Sequence, residues 1–347
     1  MTNQFDHIVD GSAGEGGGQI LRTSLSLAMC TGQSVVIDNI RSGRAKPGLM
    51  RQHLAAVRAA AVVSCAQVNG DELHSTRVEF RPGAIRGGTF RFAIGSAGST
   101  TLLWQTLLPA LLLADESSEL VLEGGTHNGM APSVDFIEQC FLPALARMGV
   151  VVKSKLLRHG FFPNGGGEWH VHVKPWAQRQ RYLVTQRGEL VSQLAVAKIA
   201  AIKGHVAQRE LARVAHELGW SVDQLCAMSV DSLGPGNILS LRVRYAEITG
   251  VFEALGERRL SAERVAGKVI KALRAYVSAD YPVGEHLADQ LLMPLVLGPG
   301  GEFRSGRLSE HTRTNMRVIE QLLGRRCFDV QTVDNGAVQP STTIRTL

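Results

Sequence analysis

Apolar residues recur at helical spacing in several segments, each followed by a short run of extended character. In GGGQILRTSLSLAMCTG (16–32), Leu21, Leu25, Ala28 and Met29 stand at i, i+4, i+7 and i+8 and form one stripe, with Gln19, Arg22 and Ser26 on the opposite face. The run SVVIDNI (34–40) reads as a strand, GLMRQHLAAVRAAAVV (48–63) as a second helix, and TRVEFRPG with TFRFAIG as two extended segments that close the unit.

The same order returns. Helix STTLLWQTLLPALLLAD, strand ELVLEGG, helix SVDFIEQCFLPALARMG and the strands VVVKSKLL and EWHVHVKP form a second copy. Gly-Ser-Ala-Gly precedes the first helix of both copies, about 84 residues apart, which marks a repeated supersecondary unit. A third copy opens at VGEHLADQLLMPLVLG (283–298), continues through HTRTNMRVIEQLLG (311–324) and ends in FDVQTVD and STTIRTL. Between 186 and 280 the pattern breaks: LVSQLAVAKIAAIKG, VAQRELARVAHELGW and SAERVAGKVIKALRAYVS read as helices, and NILSLRVRYAEITGVFEALG as two strands. The expectation is an α/β (α+β) chain of three β-α-β-α-β-β units in a large domain, 1–185 plus 281–347, interrupted by a small α/β domain at 186–280. If the units pack about a common axis, the N-termini of their first helices face one cleft, where uncapped N–H groups suit phosphate oxygens.

Composition narrows the class without deciding it. The 347 residues are 44% hydrophobic and 20% charged, ordinary globular material, with a net charge of +6 that permits a polyanionic partner. Aromatic residues make up only 5%, which disfavours base stacking as the main binding mode and favours recognition of a phosphate-bearing end. The five cysteines show no C-x-x-C spacing and read as reduced core thiols. Neither a leader nor a membrane span is apparent, so a cytoplasmic protein is expected.

Four stretches carry candidate chemistry. GSAGEGGGQILR sets three glycines between Glu15 and Arg22, yet it fits neither G-x-x-x-x-G-K-[ST] nor G-x-G-x-x-G. RSGRAKPGLMRQH (41–53) concentrates Arg41, Arg44, Lys46 and Arg51, either a solvated basic turn or a phosphate clamp. WHVHV places His170 and His172 on one strand face, a possible metal pair with no third ligand in view. HST at 74–76 and HTRT at 311–314, each a histidine with threonine close behind it, would suit a cyclic phosphodiesterase with paired histidines. His311 opens a helix that Thr312 or Thr314 could cap, and it could act as a nucleophile given an oriented neutral imidazole and nearby cations.

Taken in order, EGGGQILRTSLSLAMCTG, RAKPGLMRQH, GEHLADQLLMPLVLG and SEHTRTN resemble the RNA 3'-terminal phosphate cyclases over essentially the whole chain. The resemblance implies three units similar to the C-terminal domain of translation initiation factor three, with a thioredoxin-like insert. It implies an enzyme that adenylylates a histidine with ATP, passes AMP to an RNA 3'-phosphate, and closes a 2',3'-cyclic phosphate. His311 matches the nucleophile. Gln105 and the segment His286, Leu287, Ala288, Asp289 and Gln290 match ATP contacts, with Pro132 and Phe136 beside the adenine. Some members carry Tyr where His286 stands. Glu15 fits a Mg²⁺ or Mn²⁺ ligand, and Arg22, Arg41, Arg44 and Gln52 fit phosphate contacts. The expected partner is RNA with a 3'-phosphate end, with no membrane and no obligate protein partner. Non-catalytic cyclase-like proteins of ribosome assembly share the fold but lack the nucleophile.

Overall fold

The computed structural model describes residues 5–14, 17–334 and 340–347. The first unit comprises β1 (His7–Asp10), α1 (Gly18–Thr31), β2 (Val35–Asp38), α2 (Arg51–Val63), β3 (Gln67–Asn69) and β4 (Val78–Arg81), with sheet order β1-β2-β4-β3. The second comprises β5 (Gly88–Ala93), α3 (Thr100–Leu112), β6 (Ser118–Gly124), a helical stretch, β7 (Val152–Arg158) and β8 (Gly167–Val173), in order β5-β6-β8-β7. That stretch is α4 (Val134–Phe136), a π-helical turn (Ile137–Phe141) and α5 (Leu142–Arg147). In both sheets the first two strands run parallel and the other pairings are antiparallel.

The third unit begins before the insert, not after it. β9 (Tyr182–Val184) pairs parallel with β14 (Gly301–Ser305), and the sheet reads β9-β14-β16-β15, with β15 (Phe328–Val333) and β16 (Ser341–Thr346). Its helices are α8 (Glu285–Leu297) and α9 (Glu310–Leu323). A three-residue strand is too short to show a period, so the sequence pattern began this unit at α8. A similar shift affects TFRFAIG, which opens the second unit by pairing with β6 and does not close the first. The first unit's third strand is Gln67–Asn69, too brief and polar to carry an apolar alternation.

The insert comprises β10 (Leu190–Ala200), α6 (His205–Leu218), β11 (Leu225–Ser229), β12 (Gly236–Tyr245), β13 (Thr249–Leu255) and α7 (Ala262–Ser278), with sheet order β11-β10-β12-β13. LVSQLAVAKIA, expected as a helix, is the longest strand of this sheet. Ala195, Ala197 and Ile199 are buried at period two in a core shared with α6 and α7, and pairing on both edges overrides the helical preference of alanine.

One core runs through all three units, and the insert has its own. Trp104 of α3 is fully buried and meets Trp169 of β8 edge-on at 5.3 Å. The thiols differ from expectation: Cys140 and Cys327 are buried, Cys30 and Cys226 half-buried, and Cys65 exposed. No helix among the described residues is long and apolar enough to cross a membrane.

Candidate active site

Helix α1 packs on α3 and α9, and α8 packs on α3 and α9, so the first helices of all three units lie side by side. Ser26 Oγ of α1 donates to the Thr106 carbonyl of α3 at 2.7 Å. The polar face of α1 expected from its periodicity (Gln19, Arg22, Ser26) therefore faces the junction and not solvent. There it lines a cavity of about 690 Å³ together with α3, α8, the start of α9 and the insert. The cavity runs along the flanks of these helices as well as at their N-termini.

The insert closes one wall. Lys198 Nζ of β10 donates to both carboxylate oxygens of Asp135, at 2.6 and 2.5 Å, and His127 Nε2 lies 3.4 Å from Asp135 Oδ2. Burial pushes the Asp135 carboxyl up, but His127 and Lys198 outweigh it and hold the group well below the usual range. Ser133 Oγ donates to the Glu253 carboxyl of β13, and α4 with the π-helical turn after it sets Phe136 and Phe141 against the same wall.

His311 is the second residue of α9. Ser309 caps this helix by accepting from the Thr312 N–H at 3.1 Å, so neither Thr312 nor Thr314 is the cap; both lie inside the helix and are buried. His311 Nδ1 lies 3.2 Å from Asp289 Oδ2. Asp289 Oδ1 accepts from Gln19 Nε2 at 2.8 Å and from Asn315 Nδ2 at 3.0 Å. Asn315 Oδ1 in turn accepts from Thr23 Oγ1 at 2.7 Å. The carboxylate is thus clamped by one helix of each neighbour. A carboxylate at Nδ1 keeps the proton there and leaves the Nε2 lone pair available.

Beside this network, Gly17 is the N-cap of α1, and among the described residues no side chain caps the helix. A Cβ at Gly18 would stand 2.4 Å from His53 Nε2 and 3.0 Å from Arg22 Nη1, and one at Gly17 would meet Arg44 Nη2 at 3.3 Å. The space left by these glycines is filled by the protein's own donors. Burial, then the Arg41 and Arg22 charges, push the His53 imidazole down to about 3, so it is neutral. Its Nδ1 accepts from the Met50 N–H at 3.2 Å, which leaves an Nε2–H donor toward the start of α1. Burial also pushes the Arg22 guanidinium down to about 10, against the pull of Asp289. Two arginines, a neutral imidazole donor and the N-terminal N–H groups of α1 form an arrangement that could hold an anion.

Of the residues singled out from the sequence, His311, Arg22, Gln105, His286, Asp289, Gln290, Pro132 and Phe136 all line the cavity. The Phe136 and His286 rings meet edge-on at 6.3 Å. Gln105 Nε2 and both amide atoms of Gln290 are buried without a hydrogen-bond partner among the described residues. Pro109 and Pro294 stand four residues further along these two helices, so the backbone carbonyls of Gln105 and Gln290 also lack their helical donors. Leu287 and Ala288 are turned into the core, each 1% exposed.

The phosphate-clamp candidates separate. Arg44 is exposed beside Gly17. Arg41 Nη1 donates to the Lys46 and Gly48 carbonyls, both at 2.8 Å, and so braces its loop. Gln52 Oε1 accepts from the Ser99 N–H at 2.8 Å, linking α2 to the start of α3. Glu15 lies outside the described residues. His170 Nε2 lies 2.8 Å from Glu168 Oε1, and no group of three or more potential metal ligands occurs among the described residues. His74 sits exposed on a loop and does not line the cavity. Sequence reasoning missed His53, Gln19, Asn315 and Glu253. Gln19 was visible on the polar face of α1, His53 at the end of the basic segment and Asn315 at the end of SEHTRTN; Glu253 is defined only by the packing of the insert on the second unit.

Residues 13–328 match the family described as RNA 3'-terminal phosphate cyclase. A protein of that name from Salmonella typhimurium is 48% identical over 328 residues, 94% of this chain and 96% of the relative. Another from Ectopseudomonas mendocina is 49% identical over 309 residues, 89% of this chain and 90% of the relative. Among solved structures, the enolpyruvyl transferase NikO from Streptomyces tendae aligns with 98% of this chain and 66% of its own, at 12% identity and a TM-score of 0.25, too distant to bear on fold or activity. By its matched length and by the identity of its relatives, the chain belongs to the RNA 3'-terminal phosphate cyclase family.

Proposed function

We propose that this chain uses ATP to convert an RNA 3'-terminal phosphate into a 2',3'-cyclic phosphate through a covalent adenylyl-histidine. The observation that carries the reading is His311 at the cavity wall, with Nδ1 held by Asp289 and Nε2 left to react. In this reading Nε2 attacks the α-phosphorus of ATP, a P–N bond forms, and the bond to pyrophosphate breaks. An oxygen of the RNA 3'-phosphate then takes the adenylyl group and releases the imidazole. The vicinal 2'-hydroxyl attacks the activated phosphorus and AMP leaves, which a bare phosphate monoester could not achieve for want of a leaving group.

The anion site at the start of α1 supports this sequence. Arg22, Arg44 and the His53 Nε2–H would hold phosphate charge next to the nucleophile, where fixed donors stabilise charge that develops during transfer. Arg41 and Gln52 would act by holding the loop and the start of α3 in place. Pro132, Phe136 and His286 would enclose the base, with Gln105 and Gln290 offering polar atoms that have no protein partner. Mg²⁺ or Mn²⁺ would take most of its ligands from the triphosphate and water, with Glu15 as the one protein carboxylate assigned to it. We read 186–280 as a separate inserted domain, and the whole as acting on RNA in the cytoplasm without an obligate protein partner.

The paired-histidine phosphodiesterase reading loses support because His74 stands away from the cavity. Incubating the protein with ATP, Mg²⁺ and a 3'-phosphorylated oligoribonucleotide should give a phosphatase-resistant 2',3'-cyclic end with release of AMP and pyrophosphate. Cyclisation that proceeds without ATP would refute the proposal.

A further inference from the structure

Glu253 is a charged residue type set in a mostly apolar wall. It lies on β13, opposite Ser240 of β12 in the antiparallel pairing, and it lines the cavity beside Phe136, Val251 and Leu255. Ser133 Oγ stands 2.9 and 2.8 Å from its two carboxyl oxygens. The Ser133 oxygen is already engaged by the Phe136 N–H at 2.9 Å, so its single proton is given to the carboxyl. Nothing in the transfer chemistry uses this group, which sits on the wall built by the second unit and the insert. His311 and its network lie on the wall built by the first and third units. A carboxyl set among Phe136, Val251 and Leu255 suits the polar edge of a nucleobase better than it suits a phosphate, which it would repel when ionised.

We propose that the Glu253 carboxyl reads the Watson–Crick edge of adenine, donating its O–H to N1 and accepting from the N6 amino group. The inference rests on the ATP reading above and adds its base specificity. A neutral carboxyl carries a donor and an acceptor side by side, the complement of adenine's N1 and N6–H₂. An ionised carboxylate carries two acceptors, which match the N1–H and N2–H₂ of guanine and repel adenine N1. The surroundings favour the neutral form. Burial, reinforced by the Asp135 charge, pushes this carboxyl up to about 8, against the opposing effects of Ser133, Lys198 and Ser240. The other groups facing it are the Cys140 thiol and, elsewhere on the cavity wall, Glu257, Glu285 and Lys268.

The test measures half-saturation for transfer of an α-labelled nucleotide to the full-length protein, with ATP, GTP and purine riboside triphosphate, which lacks the N6 amino group. With wild type, the half-saturation concentration for ATP should rise at least threefold from pH 7 to pH 9, and ATP should outcompete the purine analogue about tenfold or more. Glu253→Gln keeps a donor–acceptor pair, so it should hold wild-type affinity for ATP at pH 7 and lose the rise at pH 9. Glu253→Leu should bind ATP and the purine analogue equally. An unchanged pH response in Glu253→Gln, or undiminished preference for ATP in Glu253→Leu, overturns the inference and leaves the ATP reading intact. A wild-type chain that takes no label from any nucleotide overturns both.

Discussion

The substitution Asp289→Asn isolates the tautomer argument. Asn can place its carbonyl oxygen where Asp289 Oδ1 accepts from Gln19 and Asn315, so two good hydrogen bonds hold it in that rotamer. Its NH₂ then takes the Oδ2 position, 3.2 Å from His311 Nδ1. Two donors cannot face each other, so the imidazole must carry its proton on Nε2 and lose the lone pair that attacks phosphorus. Where a change of this kind has been made to an aspartate–histidine pair, the rate falls by about 10⁴, so a loss of ~10³ to 10⁴ is expected here. That corresponds to ~4–5.5 kcal/mol of barrier. The assay is single-turnover formation of the protein–AMP adduct from α-labelled ATP, with thermal unfolding to confirm the fold. Asp289→Ala imposes no donor on Nδ1, leaves both tautomers open and should fall between Asn and wild type. Adduct formation by Asp289→Asn within tenfold of wild type would refute the reasoning.

Three further outcomes follow from the geometry. His53→Ala should lower kcat/KM for cyclisation by about 10- to 100-fold through loss of a neutral donor to phosphate, and because its imidazole is held near 3, the wild-type pH profile from 5 to 9 should carry no ionisation from it. Arg44→Ala should slow the RNA-dependent steps at least tenfold while leaving the melting temperature within about 2 °C, since the side chain is exposed on a loop. Glu210 is buried and its carboxyl pushed up to about 7, with Asn237 Nδ2 donating to it at 3.1 Å. Its folded pKa lies above its unfolded one, so it costs nothing below about pH 4.5 and destabilises increasingly as pH rises toward 7; Glu210→Gln should therefore raise the melting temperature at pH 8 and leave it unchanged at pH 4.

Much of the architecture was legible in the sequence because the helices are long and amphipathic. The repeat showed in α1 and α3, whose Gly-Ser-Ala-Gly openings and apolar stripes coincide. What escaped was short or ambiguous. Tyr182–Val184 and Gln67–Asn69 are too brief for a period, and LVSQLAVAKIA is rich in helix formers yet is paired on both sides as a strand. The site divides the same way. His311 and Asp289 were identifiable from motifs whose order along the chain is specific, and Arg22 from its helix face. Asn315 stood in SEHTRTN, but its tie to Asp289 forms only when α9 meets α8, and Glu253 acquires meaning only when β13 closes on Ser133, a contact that spans 120 residues and leaves no local pattern. The glycines at 17 and 18 were visible, but that His53, Arg22 and Arg44 occupy the room they leave was not.

The account stands on a covalent bond between nucleotide and the imidazole at 311. Peptide mapping of the protein after incubation with ATP and a divalent cation, by mass spectrometry under alkaline conditions that spare a phosphoramidate, reads that bond directly. The expected result is an added AMP on the peptide containing His311, absent from His311→Asn. AMP on any other residue, or an equal yield of adduct from His311→Asn, would contradict it.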